Sequence, residues 1–220
     1  MAVTFDEIKT AVRELLGEPV ADQWSDTQVA RYINYAASEI WRELMRRADH
    51  EWGWTSGSAI SIVSGTQEYS LPSDMLLFRA IERVNIDDPY FLSRVRIQDR
   101  GKFTSISASG SSYPSRFYLR PPSYFGLAPK PTASIASALK VWYVPVATEM
   151  SLSADEPEIP EQHHRLIVFR AAIMARRAQE QNPGGLISEF KEGLAEAIVS
   201  MSQTGEEASY GNDTSEDWSY

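Results

Sequence analysis

The hydrophobic period of this chain changes twice, from about 3.6 to two and back again, and no other feature narrows the possible folds as much. Apolar residues spaced by three and four lay a stripe along a helix, whereas strict alternation gives a strand one apolar face. The first stretch opens with Thr4 and Glu7. At that spacing an N-cap hydroxyl and a carboxylate satisfy each other's orphan backbone amides, and Val3 and Ile8 stand at the staple positions. Phe5, Ile8, Val12, Leu15 and Leu16 continue the stripe, and Gly17 suits a left-handed closing residue. Ser25 and Gln28 repeat the box with Trp24 and Val29 as staple. Val29, Tyr32, Ile33, Ala36, Ala37, Ile40, Trp41, Leu44, Met45 and Ala48 then keep helical spacing over about six turns, roughly 35 Å. Two amphipathic helices joined by a short Gly/Pro loop make a helical hairpin.

From about Trp54 to Pro145 the period is two. Ile60 and Ile62, then Tyr69 and Leu71, alternate around Ser64-Gly65 and predict a hairpin. Val84 and Ile86, Val95 and Ile97, Phe117 and Leu119, and Leu139, Val141 and Tyr143 supply further strands. Seven prolines, Pro72, Pro89, Pro114, Pro121, Pro122, Pro129 and Pro131, keep those strands short. The expectation is an antiparallel sheet or small barrel of about five to seven strands, with the serine-rich stretch 104–112 as a mobile loop. Ser151 to Glu158 is an acidic linker. Pro160 takes the first position of a third helix, which carries Leu166, Ile167, Phe169, Ile173 and Met174 as far as Asn182-Pro183-Gly184-Gly185. Ile187, Phe190, Leu194, Ala197, Ile198 and Met201 mark a fourth. The predicted class is α+β: a four-helix unit built from N-terminal and C-terminal helical hairpins (1–53 and 159–202), an inserted antiparallel β domain with its linker (54–158), and an extended acidic C-terminal tail (203–220).

With 220 residues and 43% hydrophobic side chains the chain can bury a substantial core. No apolar run nears the roughly 20 residues that span a bilayer, and Met1 to Glu7 lacks the basic and apolar regions of a signal peptide. The absence of cysteine rules out disulfides and thiolate metal sites and suits assembly in a reducing cytoplasm; the Asn212-Asp213-Thr214 sequon is accidental in that setting. A net charge of −9 argues against a protein that grips phosphates by counterion release. Five of the acids, Glu206, Glu207, Asp213, Glu216 and Asp217, follow Met201, where no Lys or Arg occurs, which leaves −4 on the rest.

No catalytic constellation emerges. The three histidines are His50, His163 and His164. The last two are adjacent, so on a helix they point about 100° apart and do not chelate one ion; they read as solvated or interface residues. No Gly-x-Ser-x-Gly elbow is present, and Gly101-Lys102 lacks the other residues of a phosphate loop and reads as a turn. Among aromatics, Tyr32 and Trp41 fall on the core stripe, Trp52 and Trp54 at a packed junction, and Tyr118, Tyr124 and Phe125 around Pro121-Pro122 as candidate surface contacts. Arg42, Arg46 and Arg47, with Arg170, Arg176 and Arg177, form either a solvated helical face or an oligomer interface of inter-subunit salt bridges. The competing enzymatic reading is a hydrolase with an unmarked carboxylate pair, and a nucleic-acid-binding regulator is disfavoured by charge.

Four segments in order, Gln67-Glu68-Tyr69-Ser70-Leu71-Pro72-Ser73-Asp74, Tyr113-Pro114-Ser115-Arg116-Phe117-Tyr118-Leu119, Leu139-Lys140-Val141-Trp142-Tyr143-Val144-Pro145 and Ile159-Pro160-Glu161-Gln162-His163-His164-Arg165-Leu166-Ile167, carry a resemblance over about 4–201. The chain resembles the head-to-tail adaptor (connector) proteins of tailed bacteriophages, of the tail tubular protein A and tail accessory factor type. The resemblance implies a non-enzymatic virion protein with no cofactor. It implies a homo-oligomeric ring, commonly of twelve copies, beneath the portal protein, extending the DNA channel and seating a tail or nozzle protein. DNA then passes without specific binding. The tail residues Tyr210, Asp213, Glu216, Asp217, Trp218 and Tyr220, aromatic anchors among carboxylates, are the candidate portal-binding arm.

Overall fold

Both capping boxes close as their spacing requires, and each starts a helix. The computed structural model describes residues 3–18, 23–47, 52–85, 87, 89–103 and 114–210, the last eight of these as backbone alone. The expected loop at 104–112 lies outside the described residues. In α1 (Phe5–Leu16) the Glu7 carboxylate accepts from the Thr4 amide at 2.8 Å while the Thr4 hydroxyl accepts from the Glu7 amide, and Gly17 closes the helix at φ 73°. In α2 (Asp26–Arg47) Gln28 Oε1 accepts from the Ser25 amide at 2.9 Å and Ser25 Oγ from the Gln28 amide at 3.3 Å. The stripe of α2 is buried from Val29 to Met45, Trp41 included, with Tyr32 half-buried at its margin. Arg13, itself buried, ties the start of α2 to α1: its Nη2 donates to Trp24 O at 3.0 Å and to Asp26 Oδ1 at 2.6 Å.

By contact the chain divides into two compact units, Met1–Trp52 with Val146–Tyr220, and Gly53–Pro145. In the helical unit α3 (His164–Ala178) is apolar on nearly every side and packs against α1, α2 and α4 (Leu186–Tyr210), the position an all-round hydrophobic helix must take. Pro160 does not open α3 directly, because a 3-10 turn, Glu161–His163, comes between them. The acidic stretch after Val146 is strapped to the helices. Asn34 exchanges two 3.0 Å hydrogen bonds with the backbone of Met150, and the Phe5 amide donates to Asp155 O at 2.8 Å. Asp155 in turn accepts from the amides of Leu152 and Ser151, which hold its carboxyl below the usual range. At the other end α4 does not stop at 202 as its sequence suggests; its backbone stays helical to Tyr210.

The β unit holds nine strands among the described residues, more than expected. One sheet runs β1 (Thr55–Ser56), β9 (Ile135–Pro145), β4 (Met75–Arg83), β5 (Tyr90–Phe91), with β2 (Ile60–Ile62) also on β9. The other runs β3 (Glu68–Ser70), β8 (Tyr124–Ala128), β7 (Arg116–Arg120), β6 (Ser93–Arg94). Every pairing is antiparallel except β6 with β7. The turn at Ser64-Gly65 exists, with Gly65 at φ 77°, but it is not a hairpin turn. Ile60 pairs with Leu139 in one sheet and Tyr69 with Phe125 in the other. The chain therefore crosses between sheets there, and the inner faces of both meet in one core that includes Ile62, Tyr69, Ile81, Phe117, Phe125 and Leu139.

Further expectations are corrected. Val84 lies just beyond β4, and Ile97 belongs to a 3-10 helix, Ile97–Phe103, which also takes up Gly101-Lys102. Tyr118 and Phe125 are fully buried, leaving Tyr124 as the exposed member of that trio. Trp52 is exposed, and Trp54 is half-buried with the Arg79 guanidinium 5.9 Å from its ring centroid.

Candidate partner-binding surfaces

The helical arginines separate into two kinds. Arg170, on α3, makes a two-pronged contact with Glu39 of α2, both hydrogen bonds 2.8 Å, and lies 5.6 Å from the Phe190 ring centroid of α4. Arg176 donates to Leu15 O at 2.7 Å and so caps the last turn of α1. These two hold helices of their own chain together, which is what a planar fork with five donors does well. Arg47 pairs with Glu43 one turn back, at 2.6 Å. Arg42, Arg46, Arg47 and Arg177 are exposed. Because Arg170 is half-buried and its geometry bidentate, Arg170→Gln should lower helical-unit stability by about 1 kcal/mol. A double-mutant cycle with Glu39→Gln in urea should return most of that as coupling; additive losses would show that the pair contributes nothing.

At the head of α3 the two histidines face different surroundings. His164 is 4% exposed. Its Nε2 donates to Ile159 O at 2.7 Å, and Nδ1 has no partner. With Val3, Ala11, Leu15, Val168 and Phe169 it lines a mainly apolar groove of ≈ 350 Å³ between α1 and α3. His163 is half-buried, and burial, then the neighbouring His164, pushes its imidazole down from the ordinary value. It lines a polar cleft with Gln162, Arg165, Glu189, Glu192 and Glu196. Neither histidine is freely solvated, and His50 lies outside the described residues. Gly193 sits in the wall of this cleft, where a Cβ would meet Leu166 Cδ2 at 2.7 Å, so glycine leaves room for the Leu166 side chain of α3 against α4.

On the β unit, alternation along β7 sends Phe117 and Leu119 into the core and Arg116, Tyr118 and Arg120 to the other face. Across the sheet those three pair with Ala128, Gly126 and Tyr124. The Tyr118 ring lies over Gly126, the one residue whose lack of a side chain leaves room for it. Burial, then the Glu68 carboxylate beside it, raises the Tyr118 phenol. The 3-10 helix covers the same face, with Arg100 5.9 Å from the Tyr118 centroid and Phe103 4.0 Å beneath the Arg116 guanidinium. Arg120 reaches Glu68 at 2.6 Å and lies 4.8 Å from the Tyr124 centroid. A surface of guanidinium groups stacked on rings results. Sequence reading missed it because its residues belong to three separated segments, which the β7–β8 register and the 3-10 helix lying over it bring together.

The tail positions fall mostly beyond what is described: Tyr210 is the last residue of α4, and Asp213, Glu216, Asp217, Trp218 and Tyr220 lie outside the described residues. Among the described residues no three of His, Asp and Glu gather as metal ligands. No described helix is long and apolar enough to cross a membrane. Compared with known proteins, the chain is matched over residues 3–215 by the family described as SU10 adaptor protein. No curated protein matches it.

Proposed function

Because the chain belongs to the SU10 adaptor protein family, we propose that it is a structural adaptor of a bacteriophage virion, joining head to tail rather than catalysing a reaction. The observation that carries this reading is the length of the match: residues 3–215 take in both units, so the whole architecture is that of an adaptor. In the finer form of the proposal, copies form a ring, twelve-fold in the virion, beneath the portal protein. The helices of the two chain halves act as one unit, the β unit is inserted between them, and the ring extends the DNA channel and seats the tail. Electron microscopy of the protein mixed with purified portal rings tests this. The expected result is an added layer with the symmetry of the ring; portal rings that stay bare at saturating protein would overturn it.

The portal-binding arm belongs to the same proposal. Residues 203–220 carry five acidic side chains and no basic one, and Tyr210, Trp218 and Tyr220 are aromatic anchors of the kind that fill pockets on a basic partner. One arm per copy adds weak contacts through multivalency. Since α4 continues to Tyr210, the informative truncation is after Tyr210, which spares the helix. It should fold normally, by far-UV circular dichroism, and lose at least about tenfold in portal attachment. Unchanged attachment would remove Asp213, Glu216, Asp217, Trp218 and Tyr220 from the interface.

A further inference from the structure

The formal charge of −9 is the sum of two opposite halves. Residues 53–145 hold ten Lys and Arg against six Asp and Glu, a net +4, so the helical unit and its tail carry −13. Without residues 203–220 the helical unit is still −8. The positive charge of the β unit is concentrated. Arg96, Arg100, Lys102, Arg116 and Arg120 lie on or beside the stacked face described above, where the acids are Asp99, paired with Lys102 at 2.6 Å, and Glu68. Large apolar groups are exposed with them: Tyr124 at 40% and Ile97 at 39%.

A face that only gripped phosphates would have no use for exposed Tyr and Ile. Arginine with aromatic and apolar groups, and little lysine, is instead the composition of the buried centre of protein interfaces. The partner such a face fits is an acidic protein surface, and the chain carries one itself. On α4, Glu189, Glu192 and Glu196 form an exposed row along one side of the polar cleft. We propose that the arginine face of the β unit docks on this acidic surface of the helical unit of a second copy. The contact is head-to-tail, the kind that generates a closed ring when the rotation closes. This inference rests on the reading of the chain as a ring-former and names the surfaces that would join its subunits. It leaves the C-terminal arm free for the portal.

Opposed charge rows can be swapped. One full-length variant combines Arg96→Glu, Arg100→Glu and Lys102→Glu, a second combines Glu189→Lys, Glu192→Lys and Glu196→Lys, and a third carries all six. Assembly is read alone and on portal rings, by sedimentation and native mass spectrometry, with circular dichroism melting as the check on folding. Each triple variant should assemble at least about tenfold more weakly than the unaltered protein, and the six-fold variant should recover most of the loss. The unaltered protein supplies a test that needs no substitution: its assembly should weaken severalfold between about 50 and 300 mM NaCl, as screening of charged surfaces requires. Full assembly of the first triple variant overturns the proposed interface while the ring reading stands. So does a six-fold variant no better than either triple, or salt-insensitive assembly. An unaltered protein that forms no multimer even on portal rings overturns both. If the first triple variant assembles normally but loses affinity for duplex DNA, the face belongs to nucleic acid and the proposal fails.

Discussion

Replacing Trp41 with alanine should destabilise the helical unit by about 3–5 kcal/mol, the range for removing a large aromatic from a core that relaxes only partly. Trp41 is 4% exposed and lies mid-stripe on α2, beside Ala37, Leu44 and Met45, all of them buried. Its helix packs against α3, which packs against every other helix of the unit, so no neighbour can move in without giving up contacts elsewhere. Urea unfolding followed at 222 nm reads the loss, since the helices contribute most of that signal. A change below about 1 kcal/mol would show that the indole contributes surface rather than core. Trp41→Phe keeps most of the volume and should cost less than half as much.

A larger group at Gly126 should be nearly as costly, by the opposite mechanism. A methyl there would overlap the Tyr118 ring, which is itself 1% exposed and boxed in by Arg100 above. Gly126→Ala should therefore cost about 2–3 kcal/mol through overpacking, and Gly126→Val more. The loss should appear in the β unit alone, as faster amide exchange in peptides from β7 and β8, while peptides from α2 and α3 are unchanged. The two residues must also be coupled. In a Tyr118→Ala background, Gly126→Ala should cost under about 1 kcal/mol, because the ring it collides with is gone. Equal costs in both backgrounds would refute steric overlap as the reason for glycine.

What the sequence determines by itself is whatever depends on neighbours within a turn or two. The Thr4/Glu7 and Ser25/Gln28 boxes, the closure at Gly17 and the buried stripe of α2 are all short-range, since a hydroxyl three residues from a carboxylate needs no tertiary help to meet it. The α+β class follows from the same local periods, and so do the strand at Phe117–Leu119 and that at Leu139–Tyr143. Arginines on one helix face can likewise be read from their spacing, but their partners cannot. Whether Arg170 meets solvent, another subunit or Glu39 depends on a helix 131 residues away in sequence.

The tertiary structure decided the pairing of strands and the burial of ambiguous segments. A hairpin across Ser64-Gly65 was the economical reading because turns are local. Ile60 nevertheless joins Leu139 and Tyr69 joins Phe125, since both inner faces can then bury against each other, a gain no two-stranded ribbon offers. β4 escaped notice because Met75–Arg83 does not alternate: most of its residues are half-buried and it pairs on both edges. Tyr118 and Phe125 looked superficial beside two prolines, yet cross-strand register places one over a glycine and the other in the core. Net charge misled for a related reason. A sum of −9 carries no information on where charges lie, and the contrast between +4 and −13 exists only once the chain is divided into the two units that contacts define.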